Sequence, residues 1–228
     1  MTTTLEVHDY GDGALLIDVV GADVERLWVC AQALGAALRH DPLITDVVAS
    51  YRHVFVAYDP VATDNATVRA LIDDLADLPA IPPESRVITV PVVYGGEFGP
   101  DLDGLAESWG IPTAEIVALH SDAEWLIRFV GSPVGAPFLE GPRMPASVPR
   151  LATPRTRVPA GSVALSGFQS MIYNAPSPGG WRLIGRTPLQ PFAIDRQPHV
   201  PYRAGDRMRF LPIAVDEWDA HARRDSGR

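Results

Sequence analysis

The chain has 228 residues, of which 46% are hydrophobic and 21% are charged, and its formal net charge is −9. A chain of this length forms one large domain or two small ones, and this hydrophobic fraction is sufficient for a packed core. The negative charge argues against general binding to nucleic acids or to anionic membranes.

Signals for export and for disulfide formation are missing from the sequence. No apolar run approaches the roughly 20 residues that cross a bilayer. The N-terminus MTTTLEVHDYGDG lacks the basic and apolar regions of a secretory signal. The single cysteine, Cys30, cannot form an intrachain disulfide and has the pattern of a small buried apolar residue. These features predict a cytosolic protein.

The first 80 residues alternate between strand and helix patterns. Two short strands flank Gly11-Asp12-Gly13, a sequence typical of a hairpin turn. The predicted elements are strands at 5–10 and 14–20, a helix at 23–39, strands at 44–51 and 53–59, and a helix at 63–78. Their order, ββαββα, predicts an α+β domain over residues 1–82 that is similar in pattern to ferredoxin-like folds.

A proline-rich segment, LPAIPPES at 78–85, predicts a linker to a second domain over residues 86–228. This second domain begins with a mixture of strand and helix patterns. The predicted elements are a strand at 86–94, short helices within 95–110 and 112–122, and a strand at 124–131.

Helical periodicity ends at residue 131. Between 131 and 190, ten prolines and eight glycines separate short apolar pieces. Short strands with such turns predict a β-barrel or a sandwich. LQPFAID (189–195) and DRMRFLPI (206–213) predict further strands, and DEWDAHARRDSGR (216–228) is expected to be a charged tail that frays at its end.

Positive charge is concentrated in one part of the chain. All 19 basic residues are arginine, which excludes a P-loop lysine or a lysine Schiff base. Residues 131–190 hold six arginines and one acid, Glu140, so this segment carries +5 while the remainder carries −14. Such an island suits a small anionic ligand or an acidic partner surface. The alternative is that these arginines pair with carboxylates from elsewhere in the fold.

Arg155 and Arg157 lie two residues apart in TPRTRVPAG, between Pro154 and Pro159. Proline favours extended backbone, in which alternate side chains share a face. We therefore expect both guanidiniums to point the same way and to hold one carboxylate or phosphate. Two exposed arginines on one strand face are also common without a ligand.

Two neighbouring segments, GFQSMIY (167–173) and SPGGWRLIGRTP (177–188), supply further candidates. The double glycine permits left-handed geometry or a close approach of the backbone to a ligand. The second segment lacks the lysine and Ser/Thr of a phosphate-binding loop, and its alternative role is a tight turn before a core strand. The candidate binding residues are Gln169, Tyr173, Gly179, Gly180 and Arg186.

His120 ends the second short helix and is a candidate acid or base, although a histidine there also interacts favourably with the helix dipole. Glu97, in the glycine-rich loop YGGEFGPDL, is a candidate for capping or catalysis. The six histidines show no HxH or HxxxH spacing, and with a single cysteine the sequence predicts no zinc site.

These segments also resemble a known family. YGGEFGPDLDGLAE, LHSDAEWLIRFVG, PRLATPRTRVPAGSVALSGFQSMIY, SPGGWRLIGRTPL and AGDRMRFLPI follow one another in the order seen in the B subunit of 5-oxoprolinase. The same family is called allophanate hydrolase subunit 1 and includes the sporulation kinase inhibitor KipI. The resemblance covers nearly the whole chain and is dense from residue 90 to residue 213.

The resemblance implies an N-terminal α/β domain followed by a cyclophilin-like β-barrel. It implies a companion protein, the C subunit of 5-oxoprolinase or allophanate hydrolase subunit 2, whose similar barrel completes a composite site. It also implies a third partner, the A subunit of 5-oxoprolinase. The complex uses ATP as a co-substrate, with Mg, to open 5-oxoproline to glutamate or to hydrolyse allophanate. No cofactor is expected to bind this chain by itself.

The resemblance also assigns expected roles to the candidate residues. It implies catalytic roles for His120, Arg155 and Arg157, and roles in binding a small anionic substrate for Gln169, Tyr173, Gly179, Gly180 and Arg186. One segment departs from the family pattern: GSPVGAPFL (131–139) has Ser132 and Ala136 where aromatic residues are usual. This departure predicts an altered or wider pocket and leaves the substrate open.

Two alternative functions follow from the same resemblance. One is a KipI-like inhibitor of a histidine kinase. The other is the carboxyltransferase half of a biotin-dependent system similar to urea carboxylase. In the second case the biotin must come from a partner, because this chain has no lysine to carry it.

Overall fold

The computed structural model describes residues 3–131 and 134–226, with side chains as far as residue 223. The chain divides into two compact units, Met1–Glu84 and Ser85–Arg228. Among the described residues, no helix combines the length and apolar character needed to cross a membrane.

The first unit is a four-stranded antiparallel sheet with two helices. Its elements are β1 (Thr4–Asp9), β2 (Ala14–Val20), α1 (Val24–Leu38), β3 (Ile44–Ala49), β4 (His53–Tyr58) and α2 (Asn65–Asp74). The strands lie in the order β1-β2-β4-β3. The ββαββα order matches the sequence prediction, and the comparison with ferredoxin-like folds stays a prediction.

Both helices of this unit begin after an aspartate. The Asp23 carboxylate accepts the backbone N–H groups of Glu25 and Arg26 at 3.0 and 3.2 Å. The Asp64 carboxylate accepts the N–H of Thr67 at 2.8 Å. Each aspartate satisfies donors that the first helical turn leaves unpaired, which fixes where the helix starts.

The sheet of the first unit buries one face. Along β2, Leu15, Ile17 and Val19 alternate inward and belong to one apolar cluster with helix residues such as Leu34 and Ile72. Since successive side chains of a strand point to opposite faces, the intervening residues lie on the face away from the two helices.

The second unit contains a closed seven-stranded barrel. Its elements are β5 (Val87–Tyr94), α3 (Leu102–Trp109), α4 (Thr113–Ser121), β6 (Glu124–Gly131), β7 (Ala136–Glu140), β8 (Arg155–Val158), β9 (Ser162–Ser166), β10 (Gln169–Ile172), β11 (Ser177–Gly179), β12 (Arg182–Arg186), β13 (Arg207–Pro212), a 3₁₀ turn (Val215–Glu217) and α5 (Trp218–Ser226). The barrel order is β10-β7-β6-β13-β5-β12-β9, and β8 pairs with β11 in a separate two-stranded sheet. The chain is therefore α+β, with a barrel rather than a sandwich.

The barrel strands β9 and β12 bury both of their faces. Alternate residues such as Val163, Leu165 and Ile184 fill the interior. Their neighbours Ala164 and Leu183 belong to a second cluster. That cluster also contains Val158 of β8, so the β8–β11 sheet covers the outer face of the barrel.

One sequence prediction for the second unit was wrong, because the segment 189–195 forms no strand. The predicted charged tail at 216–228 is helical from Trp218 to Ser226. The Trp218 ring packs 5.1 Å from the ring of Phe98 and 5.7 Å from the Arg186 guanidinium, which gives this charged helix an anchor. Ser132 lies outside the described residues.

An ion pair joins the starts of the two parallel strands, β5 and β13. The fully buried Asp206 carboxylate accepts from the backbone N–H and the side chain of Arg86 and from the N–H of Arg203. Burial by itself would raise the pKa of Asp206, but the hydrogen bonds from Arg86 and from the backbone N–H groups hold it below its usual range. The carboxylate therefore stays charged and paired in the folded state.

Asp206→Asn should lower the free energy of unfolding by about 2–4 kcal/mol, because it removes the charge that satisfies these donors. Since the folded pKa of Asp206 is lowered, its contribution is present above the unfolded pKa of roughly 3.9 and is lost as the pH falls. Urea denaturation at pH 7 measures the first effect, and repeating it at pH 3, below the unfolded pKa of roughly 3.9, measures the second. Glu124→Gln, which breaks a solvent-exposed pair with Arg209, is the control and should cost less than about 1 kcal/mol. Equal costs for the two variants would contradict the role of Asp206.

Candidate functional site

A glycine-rich loop at 95–101 positions a carboxylate beside the barrel. The Gly99 backbone lies so close to the Ile184 carbonyl that no Cβ would fit between them. The loop therefore brings Asp101 to β12, where its N–H donates to the Leu183 carbonyl at 3.0 Å. The Asp101 Oδ2 accepts the Leu183 N–H at 2.7 Å. At Leu183 of β12, Asp101 thus makes the hydrogen bonds that a neighbouring strand would otherwise make.

Arg155 is held by the other oxygen of the same carboxylate. Its Nη2 donates to Asp101 Oδ1 at 2.8 Å, and the two side chains are only 29% and 10% exposed. The second terminal nitrogen, Nη1, is buried and has no hydrogen-bond partner among the described residues. One side of the Arg155 guanidinium is therefore fixed by Asp101, and the other side carries a donor without a partner among the described residues.

Tyr173 lies beneath the double glycine. Its hydroxyl touches Gly179, where an added Cβ would collide with it, and Gly180 faces the Arg150 guanidinium. Burial raises the pKa of Tyr173 more than the hydrogen bond from the Trp181 backbone and the charges of Arg150 and Arg155 lower it. Tyr173 is therefore a protonated donor within an arginine-rich region.

Glycine at position 179 is required by this contact rather than by backbone geometry. Positive φ angles occur at eight other glycines, among them Gly161 and Gly167, but neither Gly179 nor Gly180 has one. The expectation of left-handed geometry at these two positions is therefore wrong. The same prediction offered a second alternative, a close approach of another group to the backbone. This alternative describes Gly179, which the phenol of Tyr173 approaches closely.

Aromatic rings adjoin this region. Phe138 stacks on Phe129 with ring centroids 4.5 Å apart and meets Trp181 edge-to-face at 5.9 Å. Phe138 and Trp181 are partly buried against the cluster that contains Tyr173. Ala136 is fully buried in that same cluster, so it packs against the outer face of the barrel rather than lining an open pocket.

The other predicted binding residues lie in different surroundings. Arg157 is exposed, and within residues 3–131 and 134–226 no hydrogen bond or ion pair engages it. Arg186 donates from Nε to the Ala160 carbonyl at 2.9 Å and lies over the Trp218 ring. Gln169 begins β10 at the barrel wall, opposite Glu140 of β7. The structure therefore groups Arg155, Tyr173, Gly179 and Gly180, while Arg186 serves to anchor α5.

His120 lies inside the barrel core. One ring nitrogen contacts the Tyr94 hydroxyl at 2.7 Å and the other contacts the Ser170 hydroxyl at 2.9 Å. The ring packs against Phe210 and Trp125 with centroids 4.2 and 4.9 Å away. Burial lowers the pKa of His120 to about 3. With both nitrogens occupied and no exposed surface, this histidine is a neutral part of the core in this structure.

Sequence reasoning missed Asp101 and Arg150. Asp101 precedes α3, but its side chain makes no cap hydrogen bond with that helix. Its carboxylate is used instead by β12 and by Arg155, which is 54 residues away in the chain. Glu97 is exposed in the glycine-rich loop.

The grouped residues define a site suited to holding an anion. Guanidinium and phenol donors surround the β8–β11 sheet, and aromatic rings flank it. None of the residues named here is an activated nucleophile or a neighbouring base of the kind that covalent catalysis requires. We call the group of Arg150, Arg155, Arg157, Tyr173, Gly179 and Gly180 the arginine site.

This architecture, a small α+β unit followed by a barrel with an arginine-rich outer layer, has known relatives. The family model described as the carboxyltransferase domain, subdomains C and D, matches residues 5–202. The chain therefore belongs to this family.

Within the family the chain is similar to the B subunit of 5-oxoprolinase from several bacteria. It is 30% identical over 237 residues to the Bacillus subtilis protein, a match that covers 97% of this chain and 98% of the relative. It is 35% identical over 207 residues to the Escherichia coli O157:H7 protein, covering 89% of this chain and 93% of that one.

Solved structures show the same fold. The crystal structure of TTHA0988 matches 88% of this chain with a TM-score of 0.77 and 33% identity, but this chain spans only 40% of that longer chain. PH0987 from Pyrococcus horikoshii matches 93% of this chain and 100% of its own, with a TM-score of 0.57 and 31% identity. The Kluyveromyces lactis urea amidolyase, at 17% identity and a TM-score of 0.73, shares the fold alone.

His120→Gln should flatten the pH dependence of stability between pH 6 and pH 5. Because the folded pKa of His120 is about 3, the unfolded chain binds a proton in this range that the folded chain does not. For each unit by which the pH is lowered in this range, this group therefore decreases the free energy of unfolding by about 1.4 kcal/mol. Urea denaturation at both pH values measures the slope, and Ser170→Ala, which keeps the buried imidazole, is the control. An unchanged slope in His120→Gln would contradict the buried neutral state.

Gly179→Ala should destabilise the fold by about 1–3 kcal/mol, because its Cβ would displace the Tyr173 ring. Gly180→Ala is the matched control. Its Cβ would lie 3.5 Å from Arg150 Nε, an ordinary contact, so we expect a change within about 1 kcal/mol. Urea denaturation of the two variants tests the difference, and equal stabilities would contradict the close packing of Tyr173.

Proposed function

We propose that this chain is one component of an ATP-dependent amide hydrolase of the 5-oxoprolinase type. The observation that carries the proposal is its match to the B subunit of 5-oxoprolinase from Bacillus subtilis, which covers 97% of this chain and 98% of the relative. The two proteins therefore correspond along their whole lengths and not through one shared segment. Activity would require the C subunit of 5-oxoprolinase, or allophanate hydrolase subunit 2, together with the A subunit of 5-oxoprolinase.

A small carboxylate is the substrate that the arginine site fits best. Arg157 is exposed, and Arg155 has a terminal nitrogen without a partner among the described residues. A guanidinium pairs with a carboxylate or a phosphate through two parallel hydrogen bonds. 5-Oxoproline has a carboxylate beside a lactam, and allophanate is also anionic. Tyr173, kept protonated, would donate one further hydrogen bond.

ATP would make the lactam reactive. The lactam oxygen would attack the γ-phosphorus, and ADP would leave. Water would then add to the lactam carbon, the C–N bond would break as nitrogen takes a proton, and a second water would hydrolyse the acyl phosphate to glutamate and phosphate. In this scheme the arginines hold the carboxylate and offset the phosphoryl charge. Since the chain has no lysine and no phosphate-binding loop, the companion proteins would contribute to holding ATP and Mg.

The test is reconstitution of the complex with its companion subunits, followed by measurement of 5-oxoproline-dependent ATP hydrolysis. Arg155→Ala and Arg157→Ala should each lower kcat/KM for 5-oxoproline by about 10–100-fold, the loss expected for one charge-assisted hydrogen bond. Arg52→Ala, which removes an exposed arginine of the first unit, is the matched control and should have no effect.

Assembly of each variant is checked by size-exclusion chromatography, so that loss of activity is separated from loss of the complex. Full activity in both arginine variants would contradict the placement of the anion. An assembled complex in which 5-oxoproline does not stimulate ATP hydrolysis would contradict the substrate. In that case allophanate, inhibition of a histidine kinase and carboxyl transfer from a partner's biotin would be assayed with the same preparation.

A further inference from the structure

Four polar side chains meet on the open face of the first unit's sheet. Glu6 and His8 belong to β1, Asp18 to β2 and His53 to β4. In the strand register Asp18 lies directly opposite Glu6 on one side and His53 on the other. His8 is a diagonal neighbour of Asp18 on the same face, within reach of a long side chain. The sheet therefore gathers two imidazoles and two carboxylates around Asp18.

The distances among Glu6, His8 and Asp18 suit a common ligand, and His53 lies beside Asp18. Atoms of Glu6, His8 and Asp18 that could coordinate a metal all lie within 4.8 Å of one another. His8 Nε2 is 3.6 Å from Asp18 Oδ2, and His53 Nε2 is 2.6 Å from Asp18 Oδ1. Each oxygen of the Asp18 carboxylate thus has an imidazole nitrogen beside it.

The short approach between His53 and Asp18 is not a hydrogen bond. Asp18 Oδ1 is buried and has no hydrogen-bond partner among the described residues, although the His53 nitrogen is 2.6 Å away. An N–H group of that ring is therefore not aimed at the oxygen. Leaving a buried carboxylate oxygen without a donor is costly. A cation shared by the two atoms would remove this cost.

The local charge is also unbalanced. Among the described residues, neither Glu6 nor Asp18 forms an ion pair with an arginine. Arg69 of α2 instead pairs with Asp9 of β1 at 2.7 Å. Two carboxylates at close range repel each other unless a positive charge lies between them. A divalent ion would supply that charge.

We propose that Glu6, His8, Asp18 and His53 bind a divalent transition-metal ion of the Zn²⁺ class. Imidazole together with carboxylate is a ligand set for Zn²⁺, Co²⁺, Ni²⁺ and Cu²⁺, whereas Ca²⁺ and Mg²⁺ prefer oxygen ligands alone. The side chains of His8, His53 and Asp18 are 54%, 41% and 22% exposed, so an ion can enter from solvent. The prediction of no zinc site rested on spacing along the chain, whereas these ligands come from three strands.

The test uses the untagged full-length chain, stripped of metal with a chelator and titrated with Co²⁺ and then Zn²⁺. We expect one equivalent of Co²⁺ to bind with visible d–d absorption, and Zn²⁺ to displace it. Asp18→Ala should weaken Zn²⁺ binding by at least about 100-fold, since loss of even a supporting neighbour of a metal ligand costs 10–100-fold. His8→Ala and His53→Ala should each weaken binding by at least about tenfold.

His40→Ala is the matched control, because it removes an exposed histidine of the same unit outside the cluster. It should bind Zn²⁺ as the unmodified chain does. Thermal unfolding of each variant without metal confirms that it is folded, and Zn²⁺ should raise the Tm of the unmodified chain but not of Asp18→Ala. No binding by the unmodified chain, or equal affinity in Asp18→Ala, would overturn the proposal. Metal binding is measured on this chain alone, so its failure is distinct from failure of the proposed hydrolase function.

Discussion

The Asp101 carboxylate connects three elements on which the arginine site depends: the start of α3, the barrel strand β12 and the outer strand β8. One oxygen accepts the Leu183 N–H of the barrel strand β12, and the other accepts from Arg155 of the outer strand β8. The position of β8 relative to the barrel is thus set by one residue at the start of a helix. Because β11 pairs with β8, the contact between Gly179 and Tyr173 depends on the same carboxylate.

The arginines of the segment 131–190 differ in the groups that they contact. The charge of Arg155 is largely balanced by Asp101, and Arg186 is committed to a backbone carbonyl and the Trp218 ring. The positive charge of the segment 131–190 is therefore not equally available to a ligand. The exposed Arg157 remains on the outer layer, and the unused nitrogen of Arg155 is buried beside it in the same strand. An anion held there would need further walls, which agrees with a site completed by a companion protein.

Patterns local in sequence predicted local structure well. The 3.6-residue and two-residue periods predicted the ββαββα order, and the dense prolines and glycines indicated a β-barrel or a sandwich. Contacts between residues far apart in the chain could not be predicted from these patterns. The pairing of Arg155 with Asp101, the anchoring of α5 by Phe98 and the gathering of His8 and His53 around Asp18 all depend on strand register or tertiary packing. Spacing along the chain carries no signal for such contacts.

The barrel interior formed by the described residues is a packed core. Seven closely packed strands leave room for side chains only, and a neutral imidazole bridging Tyr94 and Ser170 occupies part of that core. A cavity of about 40 Å³ beside this core is lined mostly by apolar side chains such as Val90 and Met208. The outer layer around Arg155 brings hydrogen-bond donors and aromatic rings together, and a partner surface placed over it would exclude the water that weakens such charge pairs.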